Sequence, residues 1–96
     1  MIIETPYKAN DTVTLKTSAG EEIVARFIEQ DANSITITKP LALMASQQGV
    51  GLGPWVFTTD PQGKIKLNIS NVLFVAKTEE SMAKQYVTSV SGIAMI

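Results

Sequence analysis

Residues Val13 to Pro40 read V-T-L-K-T-S-A-G-E-E-I-V-A-R-F-I-E-Q-D-A-N-S-I-T-I-T-K-P. This is three β-type runs joined by two short polar turns. In Thr12 to Thr17, Val13 and Leu15 alternate with Thr12, Thr14 and Lys16, the period of a half-buried strand. Ser18-Ala19-Gly20-Glu21 supplies a turn in which Gly20 accepts a positive φ without penalty. Ile23 to Glu29 is almost continuously apolar, so both faces of this strand are expected to be covered. Gln30-Asp31-Ala32-Asn33 makes the second turn. Ser34 to Lys39 alternates again, with Ile35 and Ile37 inward, and Pro40 removes a backbone donor, which suits an edge or a strand exit.

The flanking sequence extends this pattern. Asn10-Asp11 reads as a turn, after the apolar Ile2 and Ile3. Residues 41–53 are ambiguous between a strand extension and a helical turn, followed by a loose glycine-rich loop. Trp55 to Thr59 reads as a strand, and Asp60-Pro61-Gln62-Gly63 fits a type I turn position by position. Lys64 to Ile69 alternates, with Ile65, Leu67 and Ile69 inward and Lys64, Lys66 and Asn68 outward. Ser70-Asn71 turns the chain into Val72 to Ala76, a wholly apolar strand. Thr78 is placed to cap a helix over residues 79–91, with Glu79 and Glu80 at the positive end of its dipole. Met82, Ala83, Tyr86, Val87 and Val90 share one face of it, and Gly92 reads as its stop. The expected architecture is all-β, a small bent barrel with a short C-terminal helix, in one domain over residues 1–96.

Composition narrows the function. Ninety-six residues carry eight Lys and Arg against nine Asp and Glu, and neither Cys nor His. Disulfides, thiol nucleophiles, imidazole bases and Cys/His metal sites are therefore excluded. No catalytic residue, metal ligand or cofactor is assigned, and the protein is expected not to be an enzyme. Charged residues are 18% of the chain, below the usual ~25%, which suggests that self-association covers some apolar surface. Glu4 and Pro6 interrupt the opening Met1-Ile2-Ile3, and no apolar run approaches the length of a membrane span. A cytoplasmic location without membrane contact is the expectation. A net charge of −1 means that any nucleic-acid role rests on a local basic patch or on lysines repeated around a ring. Gly49-Val50-Gly51-Leu52-Gly53 is not read as a phosphate loop, because Pro54-Trp55-Val56-Phe57 follows it where a helix is required.

From Val13 to Lys39 the order of signals resembles the first motif of the Sm-like family, including its bacterial Hfq-type members. The shared points are the V-T-L strand, the turn at Gly20, a long bent apolar strand, Asp31 at its end, and then Ile35 and Ile37. Lys64–Ile69 and Val72–Ala76, joined by Ser70-Asn71, are similar to the family's second motif. More narrowly, the chain is similar to divergent short Sm-like proteins attributed to phages of marine cyanobacteria. The resemblance implies a strongly bent five-stranded barrel and a closed homo-oligomeric ring, in which the fifth strand of one subunit pairs with the fourth of the next. It also implies binding of single-stranded RNA or DNA at pore-side loops, here Asp31, Asn33, Lys66, Asn68 and Asn71. The chain departs from the family at the base-stacking position, where Asn33 replaces an aromatic or histidine. Ile35 stands in place of the family's Asn, and Leu67-Asn68-Ile69 in place of its Arg-Gly. The helix is C-terminal here and usually N-terminal in the family. The competing expectation is an assembly module whose ring binds protein through the Met82–Val90 helix face.

Overall fold

The computed structural model describes residues 7–60 and 62–94; Ile2, Ile3, Pro61, Met95 and Ile96 lie outside them. The strands are β1 (Thr12–Thr17), β2 (Glu22–Gln30), β3 (Ser34–Ser46), β4 (Gly49–Pro54), β5 (Lys64–Asn68) and β6 (Val72–Lys77). A 3-10 turn, Ile69–Asn71, joins β5 to β6, and the helix α1 spans Glu80–Ala94. All pairings are antiparallel, in the order β4-β3-β2-β1-β6, with β5 also on β3.

Val13 and Leu15 are fully buried, as their alternation requires, and Gly20 turns the chain at φ 95. On β2, Ile23, Ala25 and Phe27 enter the core on the inner face together with Ile35 and Ile37. Val24 faces the other way, into a second cluster with Leu41, Tyr86 and Val90. The continuous apolar run of β2 is thus explained by cover on both sides, and the outer cover is α1. Each fully buried side chain of this kind contributes about 1.5–3 kcal/mol.

The sheet is strongly curled. Laid flat, β5 and β6 stand four strand spacings apart, about 19 Å. The turn that connects them has three residues, which advance only about 6 Å along a 3-10 axis. Bending is the only way to satisfy both. Two backbone bonds hold the crossing in place: Ile69 N–H donates to the Asn33 carbonyl at 3.0 Å, and Ser18 N–H to the Asn71 carbonyl at 2.8 Å. Among the described residues no ladder joins β5 to β6, so the sheet is curled but not closed.

Three expectations are corrected. The sheet has six strands and not five, because Leu41 to Ser46 prolongs β3 and pairs with Gly49–Pro54. The glycines of β4 conceal it as a strand, but Met44 packs over Gly53, its Sδ 2.7 Å from where a Cβ would sit. Trp55 to Thr59 is not a strand. Pro54 pairs with Leu41 and Lys64 with Thr38, so β4 and β5 flank the same side of β3, and residues 55–60, 62 and 63 are looped out between them. The loop leaves the sheet where β3 kinks, at Lys39 with φ 53 and at the donor-less Pro40. At the end of that loop Gly63 N–H donates to the Asp60 carbonyl at 2.9 Å, while Pro61 of the expected turn lies outside the described residues.

The helix is also displaced from its expected bounds. Glu79, not Thr78, caps it, accepting the backbone N–H groups of Ser81 and Met82 at 3.0 Å each. Thr78 is held instead by Thr14 and by the backbone of β1. The helix runs through Gly92 to Ala94. Its apolar face lies on the chain's own sheet: Tyr86 is fully buried and donates its hydroxyl to the Lys39 carbonyl at 2.6 Å. That bond satisfies a backbone acceptor at the kink. The Arg26 guanidinium lies 5.9 Å from the Tyr86 ring centroid, and Val87 is the one member of the expected face left exposed.

Candidate nucleic-acid interface

The β2–β3 turn is built by Asp31. Its Oδ1 accepts the backbone N–H groups of Asn33 and Ser34, each at 2.8 Å, and the Ser34 hydroxyl at 3.1 Å. These bonds hold the Asp31 carboxyl below its usual pKa, the Asn33 and Ser34 N–H groups first and attraction from Lys66 last. Asp31 is therefore committed to shaping the turn and presents Asn33. The Asn33 side chain is exposed and makes no hydrogen bond with a described residue.

Across the Ile69–Asn33 bond lies the second loop. Asn68 Oδ1 accepts the Ser70 N–H at 3.0 Å and the Ser70 hydroxyl at 2.8 Å, which caps the 3-10 turn. Asn68 pairs with Ser34 and Lys66 with Thr36 in the β3–β5 ladder. Ser34 and Thr36 share the outer face with these partners but are buried, while Lys64, Lys66 and Asn68 are exposed, as their alternation requires. The structure thus brings Asp31, Asn33, Lys66 and Asn68 onto one rim.

Asn71 stands slightly apart, at the far end of the 3-10 turn. Together with Asn68 it lines a pocket of about 290 Å³ whose other walls are the β1–β2 turn, Trp55, Leu67 and Val72. Trp55 is half-buried against the inner core and donates its indole N–H to Glu21 Oε2 at 2.9 Å. Spacing in the sequence does not reveal this pocket, because Glu21, Trp55 and Asn71 meet only through the curl of the sheet.

Elsewhere two ion pairs form at the surface. Lys77 lies 3.9 Å from Asp11, and Lys84 lies 3.6 Å from Glu80. Among the described residues no three His, Cys, Asp or Glu side chains cluster as a metal site would need. No helix among the described residues is long and apolar enough to cross a membrane. No protein-family profile matches the chain, and no curated protein matches it in sequence.

Proposed function

We propose that the protein is a ring-forming binder of single-stranded nucleic acid, RNA in the first instance, of the Sm-like type, and not an enzyme. One observation carries this reading. The two loops that resemble the family's nucleotide-binding motifs are joined by the Ile69–Asn33 backbone bond, which gathers Asn33, Lys66 and Asn68 beside two unpaired sheet edges. One edge, β5, is polar and carries Lys64 and Lys66. The other, β6, leaves Leu73 64% and Phe74 50% exposed. An apolar edge of that kind is a template for another strand, and head-to-tail pairing of β6 with β5 of the next copy closes a cycle that covers both of these edges. Repetition of Lys66 around such a ring supplies the basic rim that a net charge of −1 denies a single chain. Binding over catalysis is supported by the carboxylates Asp31, Asp60 and Glu79, each taken up in turn or cap hydrogen bonds.

Labelled oligonucleotides titrated across a salt series test the reading. Affinity falls with salt, with a log–log slope of about −0.7 per phosphate contacted, and Lys66→Ala reduces that slope. A second reading, a ring that binds protein, is favoured by the uncharged stretch from Pro40 to Thr59, in which Met44, Val50 and Phe57 are exposed. The helix face expected to dock such a partner is occupied by the chain's own sheet. Absence of oligonucleotide binding at low salt selects this second reading.

A further inference from the structure

We infer that the pocket between Trp55, the β1–β2 turn and the 3-10 turn is a subsite for one nucleobase bearing an exocyclic amino group, in preference to uracil. The inference rests on the nucleic-acid reading above and names the base that such a strand would present. At about 290 Å³ the pocket lies at the lower limit of small-molecule clefts, which begin near ~300 Å³, so it suits a single ring system. Its walls are apolar (Ala19, Leu67, Val72 and the Trp55 indole). The Glu21 bond restrains the indole, and a restrained aromatic ring is a stacking platform that costs little to order.

The polar groups decide which base. Glu21 receives Trp55 on Oε2 and the Thr17 hydroxyl on Oε1 at a long 3.4 Å. A carboxylate has about four acceptor positions, so capacity remains for an amino group. The Asn71 side chain lines the same pocket and makes no hydrogen bond with a described residue. It offers an amide donor and acceptor to the rest of a base edge. Cytosine presents an amino donor where uracil presents a carbonyl acceptor, and a carbonyl facing Glu21 is repelled. The same carboxylate keeps phosphate out of the pocket and leaves it to the rim around Lys66.

Trp55 is the only tryptophan in the chain, so its fluorescence reports on this pocket alone. Oligocytidine and oligouridine of equal length are titrated against the intact protein, with Trp55 emission and the anisotropy of an end label read together. Cytidine monophosphate is titrated in parallel. Saturable quenching is expected at about tenfold lower concentration for oligocytidine than for oligouridine, the discrimination of one good polar base contact. Glu21→Gln abolishes the preference, and Asn71→Ala weakens quenching without altering the fold. Oligonucleotides that bind by anisotropy yet leave Trp55 unmoved, or that favour uridine, overturn the pocket and leave the nucleic-acid reading standing. If no oligonucleotide binds, that reading fails. The pocket is then decided by the monophosphate, and an unchanged emission overturns it.

Discussion

Two apolar surfaces of this sheet meet opposite fates. The outer side of β2 and β3, at Val24 and Leu41, is sealed by Tyr86, Val90 and Met82 of α1. The edge strand β6, with Leu73 and Phe74 exposed, has no cover among the described residues. The cause is connectivity. The helix begins at Glu80, directly after β6 ends at Lys77, and Thr78 ties the junction to Thr12 and Thr14 of β1. A helix launched from there reaches across the sheet's back more readily than it folds onto the strand it has just left. The contrast separates the apolar surface that stabilises the single chain from the surface left for a partner.

Substitutions on the two surfaces should therefore differ in kind, beginning with the largest effect on stability. Tyr86→Ala removes the centre of the outer cluster and is expected to cost about 3–5 kcal/mol, read as a lowered urea midpoint. An intact midpoint would mean that α1 does not hold the sheet. Alkaline pH attacks the same contact more gently. Burial pushes the Tyr86 hydroxyl up to about 12 from 10.0, with nearby Arg26 pulling the other way. The folded state thus favours the neutral phenol. Its stabilisation is whole below pH 10 and is lost as pH rises through about 12. Tyr86→Phe should flatten this loss while giving up about 0.5–1.5 kcal/mol for the Lys39 hydrogen bond, checked by urea titrations at a series of pH values. The smallest stability change belongs to the edge. Leu73→Lys with Phe74→Lys alters exposed positions and should move the midpoint by less than about 0.5 kcal/mol per site. Light scattering should nonetheless show assemblies of the native chain reduced to single molecules of 10.4 kDa. A native protein already at that mass would leave β6 an ordinary edge and remove the ring.

Legibility in the sequence followed side-chain periodicity. Val13 and Leu15 on β1, Ile35 and Ile37 on β3, and Ile65 and Leu67 on β5 all lie where alternation assigns them, because a pleated strand has only two faces. Gly20 and Asp31 were readable as turn residues for equally local reasons. The hairpin arm of β3 and β4 was not. Glycines at 49, 51 and 53 carry no strand preference, and the pairing of β4 was decided by the unsatisfied edge of Leu41 to Ser46. Trp55 and Phe57 have strand-forming side chains, yet β4 already occupies the edge they would need. The rim of Asn33, Lys66 and Asn68 was legible through its loops, and what joins it is a single backbone bond. The Trp55 pocket depends on curvature, which no local pattern encodes.

The ladder between β1 and β6 matches Val13 with Lys77 and Leu15 with Val75, residues from opposite ends of the chain. During synthesis at about 5–20 residues per second, β1 therefore waits on the order of seconds for its second neighbour to emerge. Its rows of open amides depend on β2 alone through that interval, and the last strand made completes the first. Long-range pairing of this kind slows folding, so the newborn chain is most exposed to mispairing just before its C-terminal third leaves the ribosome.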